Sequence, residues 1–322
     1  MRVARSAFVA CFAVCAGAVA LVRAGQQGLG QAPSPLPLSN PVRERGSSVT
    51  GAYEGWYRDK DGSVSVLVGY FNRNTKQELD IPIGPNNRIE PGGPDRGQPT
   101  HFQTGRQWGV FSFKAPANFA NQTLTWTLVV NGQTNTITMH MRPEWVVEPF
   151  EDVASKNTPP LIKFQADGPA FAGPPSGLAA TYTTTVSAPL RLTAWATDEP
   201  AKLNVANAQL TAPSPPAAAR GAEPPAGGAG PGRGRGAGGP PPIVLTWSLF
   251  RGAAPVAFDP ARPAVNVAEG GKATTTATFN TPGEYLLRLQ ANDSSGDGGG
   301  GFQCCWTNVH VNVSVKPASG GE

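Results

Sequence analysis

Three groups of residues could do chemistry. The first is Cys304-Cys305, the only cysteines besides Cys11 and Cys15. Adjacent Cα atoms stand about 3.8 Å apart, below the usual 4.4–6.8 Å of a disulfide. A bond between these two would be a strained vicinal ring, stiffening the turn before Trp306 and biased toward the oxidising end of the potential range. The alternatives are buried reduced thiols, an intermolecular bridge or a copper(I) site. The second group is the acidic loop Asn292-Asp-Ser-Ser-Gly-Asp297 with its four following glycines. Asp293 and Asp297 offer hard oxygen ligands suited to Ca²⁺. Two carboxylates fall short of its six to eight oxygens unless Asp198 or Glu199 joins them. A solvated glycine-rich turn is the ordinary reading, and no other cofactor or metal is implied. The third is an aromatic and basic cluster: Tyr53, Trp56, Tyr57, Arg58 and Tyr70, then Arg106 and Trp108. Trp56, Tyr57, Arg58, Arg106 and Trp108 can form a ligand face, since aromatic rings flanked by polar groups stack on sugars or peptides. Core packing in a small sandwich accounts for the same residues equally simply. The loop 82–105 is the natural place for further recognition residues.

Other chemistries lack the residues they need. No Gly-x-Ser-x-Gly elbow occurs, and no spacing singles out a carboxylate pair for glycoside hydrolysis. Gly234-x-Gly236-x-x-Gly239 matches a dinucleotide fingerprint by letter. It has no strand before it and no helix after it, so the mechanism fails. His140 and His310 sit on the polar side of alternating runs and His101 in a Gly/Pro-rich loop. All three are expected to be ordinary surface histidines. No catalytic residue is assigned, and the chain is read as a non-enzyme.

The elements that must position these residues are short strands. Glycine (39) and proline (33) are abundant and only 15% of residues are charged, which excludes coiled coils and helical bundles. Residues 1–24 carry basic Arg2 and Arg5, an apolar run over 6–22 and a small-residue end at Ala24. This is the pattern of a secretory signal, with an uncleaved membrane anchor as the alternative, its 17 apolar residues being slightly short of the ~20 that span a bilayer. Without that leader the 26 basic residues become 23, against 22 acidic ones. The remaining charge calls for no nucleic acid. No later segment is apolar enough to span a bilayer. Residues 25–46 read as a flexible tether.

From 47 to 150 the pattern is short alternating runs. Val64, Val66, Val68 and Tyr70 share one side of a half-buried strand. Leu124, Trp126, Leu128 and Val130 share another, and Asn131-Gly132 then turns the chain into a return strand with Ile137, Met139 and Met141 inside. Residues 151–177 read as a connector able to supply an edge strand. A second strand set follows over 178–316: Leu190–Thr197, Ile243–Phe250, Ala273–Phe279, Glu284–Ala291 and Thr307–Val315. It is interrupted at 211–242, where 26 of 32 residues are Ala, Gly or Pro; that insert is expected to be disordered.

Leu245-Thr-Trp247-Ser-Leu-Phe-Arg-Gly and the run from Ala277 through Pro282-Gly283-Glu-Tyr285 to Asp293 resemble the extracellular PKD-type, immunoglobulin-like β-sandwich. The resemblance implies Trp247 in the core of a central strand and Pro-Gly-x-Tyr opening a later one. It implies little about function. The two-domain arrangement is similar to that of exported bacterial proteins. The fold expected is therefore all-β, with two β-sandwich-like domains, the second Ig/PKD-like. The function expected is that of an exported binding or interaction module at the cell envelope, in the periplasm, on the surface or secreted. Its partner would be a protein or a polysaccharide. The alternatives are an accessory or enzyme acting on envelope glycans, or a structural spacer.

Overall fold

The computed structural model describes residues 43–152, 156–198, 243–293 and 306–318. The leader 1–24, the tether up to 42, the insert 211–242, Glu199, Asp297 and Cys304-Cys305 lie outside the described residues. The described residues form sixteen strands joined by turns and short 3-10 segments, with no α-helix among them. The protein is all-β, and its sheets pack face to face.

The hairpin expected around Asn131-Gly132 is present. Strands β7 (Leu124–Val130) and β8 (Gln133–Met139) pair antiparallel, with Leu124 opposite Met139 and Val130 opposite Gln133. Asn131 (φ 50°) and Gly132 (φ 71°) are both left-handed, as a two-residue hairpin turn requires. Strand β4 (Asn87–Glu90) extends this sheet along β7. A second sheet faces it, in the order β1 (Val49–Arg58), β2 (Val64–Asn72), β6 (Gly105–Lys114). A short ribbon of β3 (Leu79–Asp80) and β5 (His101–Phe102) adjoins them. Val66, Val68 and Tyr70 from β2 meet Ile89, Leu124, Trp126 and Met139 in one core.

β2 is not half-buried as its alternation suggests. Leu67, between the core residues, is also fully buried, in a smaller cluster with Tyr57 and Trp306. Trp306 opens the last of the described strands. Buried Leu67 on the nominally polar side thus marks a strand covered on both sides.

The rest of the described chain builds a second sandwich. One sheet runs β10 (Leu178–Thr185), β16 (Trp306–Lys316), β15 (Gly283–Asn292), β12 (Val244–Arg251). β10 is parallel to β16 and the other pairs are antiparallel. The opposing sheet runs β13 (Val256–Asp259), β14 (Lys272–Phe279), β11 (Leu190–Thr197), β9 (Leu161–Lys163). β9 lies inside the stretch expected as a connector and serves as the edge strand foreseen there. β13, at four residues, shows only two half-buried positions, Val256 and Phe258, between exposed ones. Leu192, Trp247, Phe279, Tyr285, Leu287 and Val311 are among the core residues. Trp247 is thus buried as the resemblance implies, but on β12, the edge strand of its sheet rather than a central one. Tyr285 donates its hydroxyl hydrogen to the Thr281 carbonyl at 2.8 Å, closing the Pro-Gly-x-Tyr turn.

The outer side of β12, β15 and β16 does not face water, because the first sandwich lies on it. Arg251 forms a two-pronged ion pair with Asp95 at 2.7 and 3.0 Å and donates from Nε to the Gln98 carbonyl. Buried Arg288 donates to the Gln107 side-chain oxygen at 2.7 Å. Asn308 donates to the Gly109 carbonyl at 2.9 Å, and the Thr100 amide to the Phe250 carbonyl at 3.1 Å. His310 is therefore no surface histidine. It is 9% exposed, and its ring centroid lies 4.2 Å from that of Phe250. β16 alternates as the sequence implies, but its polar side is an internal seam. His101 likewise stands in β5, buried, rather than in an open loop.

Candidate functional site

Strand β1 carries the first part of the aromatic and basic cluster, and a bulge decides where each residue goes. Tyr53 pairs with Val68 and Gly55 with Leu67, leaving Glu54 as the extra residue. A bulge shifts the alternation by one. Tyr53 and Trp56 consequently meet the 140–145 segment on one side of the sheet. There Tyr53 donates its hydroxyl hydrogen to the His140 carbonyl and Trp56 Nε1 donates to the Arg142 carbonyl at 2.9 Å. Glu54 and Tyr57 go to the other side, Glu54 to Arg106 and Tyr57 to Leu67 and Trp306.

The five candidate ligand-face residues are thus divided. Arg58 lies over Trp56, its guanidinium carbon 5.9 Å from the ring centroid. Arg106 lies over Trp108 at 3.8 Å. Trp56 and Tyr57 are buried, at 7% and 4% exposure, so their rings pack rather than present an open stacking surface. Arg58 is exposed, and Arg106 and Trp108 are partly so.

Beneath the Arg106–Trp108 stack sits Glu54, which the sequence reading did not single out. Its Oε1 accepts from Arg106 Nη2 at 2.8 Å and its Oε2 from the Gly109 amide at 2.8 Å. Gly69 makes room for it, since a Cβ there would lie 2.1 Å from Glu54 Oε1. Burial raises the Glu54 pKa to about 7 against the opposing pull of Arg106 and the Gly109 amide. That value suits a general acid or base. Its two oxygens are already engaged, however, and its side chain is 1% exposed, out of reach of a substrate. Glu54 holds Arg106 flat on Trp108.

The more exposed aromatic feature lies across the sheet. Trp145 stacks on Tyr53 with ring centroids 5.0 Å apart and planes inclined by 17°. His140 meets both rings edge-on. Gly55 permits the close crossing of this segment, because a Cβ there would lie 2.5 Å from the Trp145 carbonyl oxygen. Trp145 is nevertheless 39% exposed, with exposed Val146 beside it and exposed Phe150 further on. The signal in the sequence is Arg142-Pro-Glu-Trp-Val-Val, an apolar run just after a hairpin that needs no further strand.

The remaining candidates are scattered. Asp293 is buried and accepts from Asn157 of the connector, while Asp297 and the two cysteines lie outside the described residues. Among the described residues no group of three or more His, Cys, Asp or Glu is placed to hold a metal ion. His101 is clasped by Asp80 at 2.8 Å and Glu78 at 3.0 Å. Burial pulls its pKa down, but the two carboxylates outweigh that and hold it up at about 9. Both ring nitrogens therefore donate, and the imidazolium ties β5 to β3 and the residue before it.

No family model matches the chain, and no curated protein matches it. Among solved structures, domains 4 and 5 of the S-layer protein SbsC align over 84% of this chain and 98% of theirs, at 10% identity and a TM-score of 0.21. A longer SbsC fragment, residues 31–844, aligns over 86% of this chain and 28% of its own at 10% identity and 0.22. The titin Ig tandem A164-A165 aligns over 84% and 100% at 9% identity and 0.20.

Proposed function

We propose that this chain is an exported, non-catalytic interaction module of the cell envelope that grips a protein or polysaccharide through the aromatic surfaces of its first sandwich. The observation that carries the proposal is the exposed Trp145 ring held flat on Tyr53. A ring stacked on a neighbour that is itself hydrogen-bonded to the His140 carbonyl loses little side-chain freedom on binding, which favours recognition. Arg58 over Trp56 and Arg106 over Trp108, with Tyr57 packed behind, supply flanking donors on the two sides of the same sheet. The leader-like residues 1–24 support export. The second sandwich is read as PKD-type on Trp247 and the Pro282-Gly283-Glu-Tyr285 turn, and serves as a rigid platform. Cys304-Cys305 is read as a vicinal disulfide before Trp306.

The test is affinity capture from the native envelope fraction with the full chain and with Trp145→Ala, identifying retained proteins and glycans by mass spectrometry. A saturable partner held by the wild type and lost by the folded variant supports the reading. A partner held equally by both, or turnover of a glycan by the wild type, overturns it.

A further inference from the structure

A second site lies in the other sandwich, away from the aromatic surfaces above. A cavity of about 310 Å³ opens between the free edge of β10 and the β9 hairpin, a size within the range of ligand sites. One wall is Ala179, Ala180, Thr181 and Tyr182, and the other includes Phe164 and Phe171. Consecutive strand residues point to opposite sides of a sheet. A cavity touching four in a row must therefore run along the strand's edge, against its backbone. β10 is hydrogen-bonded to β16 on one side and has no strand partner on the other among the described residues.

Edges of this kind are normally blunted by lysine, proline or a covering segment. β10 reads Leu-Ala-Ala-Thr-Tyr-Thr-Thr-Thr, without charge or proline, and no charged residue lines the cavity. The opposite wall is fixed. Phe164 meets core Trp247 edge-on at 6.2 Å, and Phe171 exchanges two backbone hydrogen bonds with Ile162 at 2.9 Å.

We infer that this slot accepts an extended, uncharged polypeptide strand, which adds to β10 and seats one apolar side chain between Phe164 and Tyr182. Backbone hydrogen bonds along an open edge supply affinity, and a pocket for alternate side chains supplies selectivity. A free strand fits better than a second copy of this chain, because the copy's β10 carries its own Phe164–Phe171 wall. The two walls would have to interpenetrate before the edges could pair.

The probe is an end-capped peptide of about nine residues, alternating threonine and valine around a central phenylalanine, titrated into the ¹⁵N-labelled full chain. The expected result is saturable amide shifts over Ala179–Tyr182 and Phe164–Phe171, with a Kd of roughly 0.1–1 mM. Thr181→Lys, at an exposed position, should weaken binding at least about tenfold, the effect of a charge on a neutral edge. An alternately N-methylated peptide, unable to donate along one edge, should not bind. Equal binding of the N-methylated peptide would overturn the proposal. So would the same shifts from a neutral disaccharide with none from the peptide, no shifts at all, or a concentration-dependent dimer of the chain abolished by Thr181→Lys.

Discussion

Gly109 and Trp306 meet across the seam between the two sandwiches. A Cβ on Gly109 would stand 1.8 Å from the Trp306 ring, and Gly109 itself has φ 49°. The first sandwich thus offers bare backbone where the second inserts its first β16 side chain. The Gly109 amide also binds Glu54, so the same residue joins the seam to the Arg106–Trp108 stack.

Gly109→Ala should destabilise the protein by about 2–4 kcal/mol, from overpacking and from a side chain in the left-handed region. Trp306→Ala should cost about 3–5 kcal/mol as a cavity mutation. Urea unfolding followed by tryptophan fluorescence measures both. Because the two residues touch, the double mutant should lose clearly less than the sum of the single losses. Strict additivity would place the contact elsewhere.

Acid stability should expose two opposed groups. Burial, then Arg288 and Arg251, lower the His310 pKa from 6.5 to about 3. The unfolded chain takes up this proton below pH 6.5 while the native chain stays neutral. Stability is therefore lost as pH falls, by about 3 kcal/mol at pH 4.5. Glu54 runs the other way. Its native pKa of about 7 exceeds the unfolded 4.5, so the native state binds the proton first and gains on the order of 3 kcal/mol between pH 7 and 4.5. The wild type should change little over this window. Glu54→Gln should lose stability on acidification and His310→Leu should gain it. Unfolding midpoints at pH 7 and 4.5 that move alike in all three proteins would contradict both assignments.

On the alkaline side His101 dominates. Its native pKa of about 9 lies above the unfolded 6.5, so its contribution is complete below pH 6.5 and disappears as pH rises through 9. The loss is on the order of 3 kcal/mol. His101→Gln should be less stable than wild type at pH 6 and nearly equal to it at pH 9.5. Thermal unfolding at the two pH values reads this directly.

Much of the fold is legible in local pattern. Alternation finds the β7–β8 hairpin, and Leu190–Thr197 is the observed extent of β11. Asn131-Gly132 predicts the positive φ angles that the turn adopts. The candidate site is less legible, for two physical reasons. The bulge at Glu54 shifts the side-chain parity of β1, dividing Trp56 from Tyr57 and hiding a buried acid among apparently exposed residues. The seam then buries the polar side of β15 and β16, so Arg288 and His310 look solvent-facing in sequence although both are enclosed. Leu67 on β2, Phe250 on β12 and Leu286 on β15 are the local hints of that cover. Trp145 was missed because it belongs to no strand, and its exposure follows from a crossing that Gly55 permits.

The most direct measurement is co-sedimentation of the purified full chain with isolated envelope material, comparing wild type, Trp145→Ala and Trp108→Ala. Trp145 is partly exposed and stacks on Tyr53, so its removal should cost about 1–2 kcal/mol and leave the fold intact, which circular dichroism and unfolding midpoints would verify. Saturable sedimentation of the wild type is expected, with at least about tenfold weaker sedimentation of Trp145→Ala, equivalent to 1.4 kcal/mol or more. Undiminished sedimentation of both folded variants would contradict recognition through the aromatic surfaces of the first sandwich.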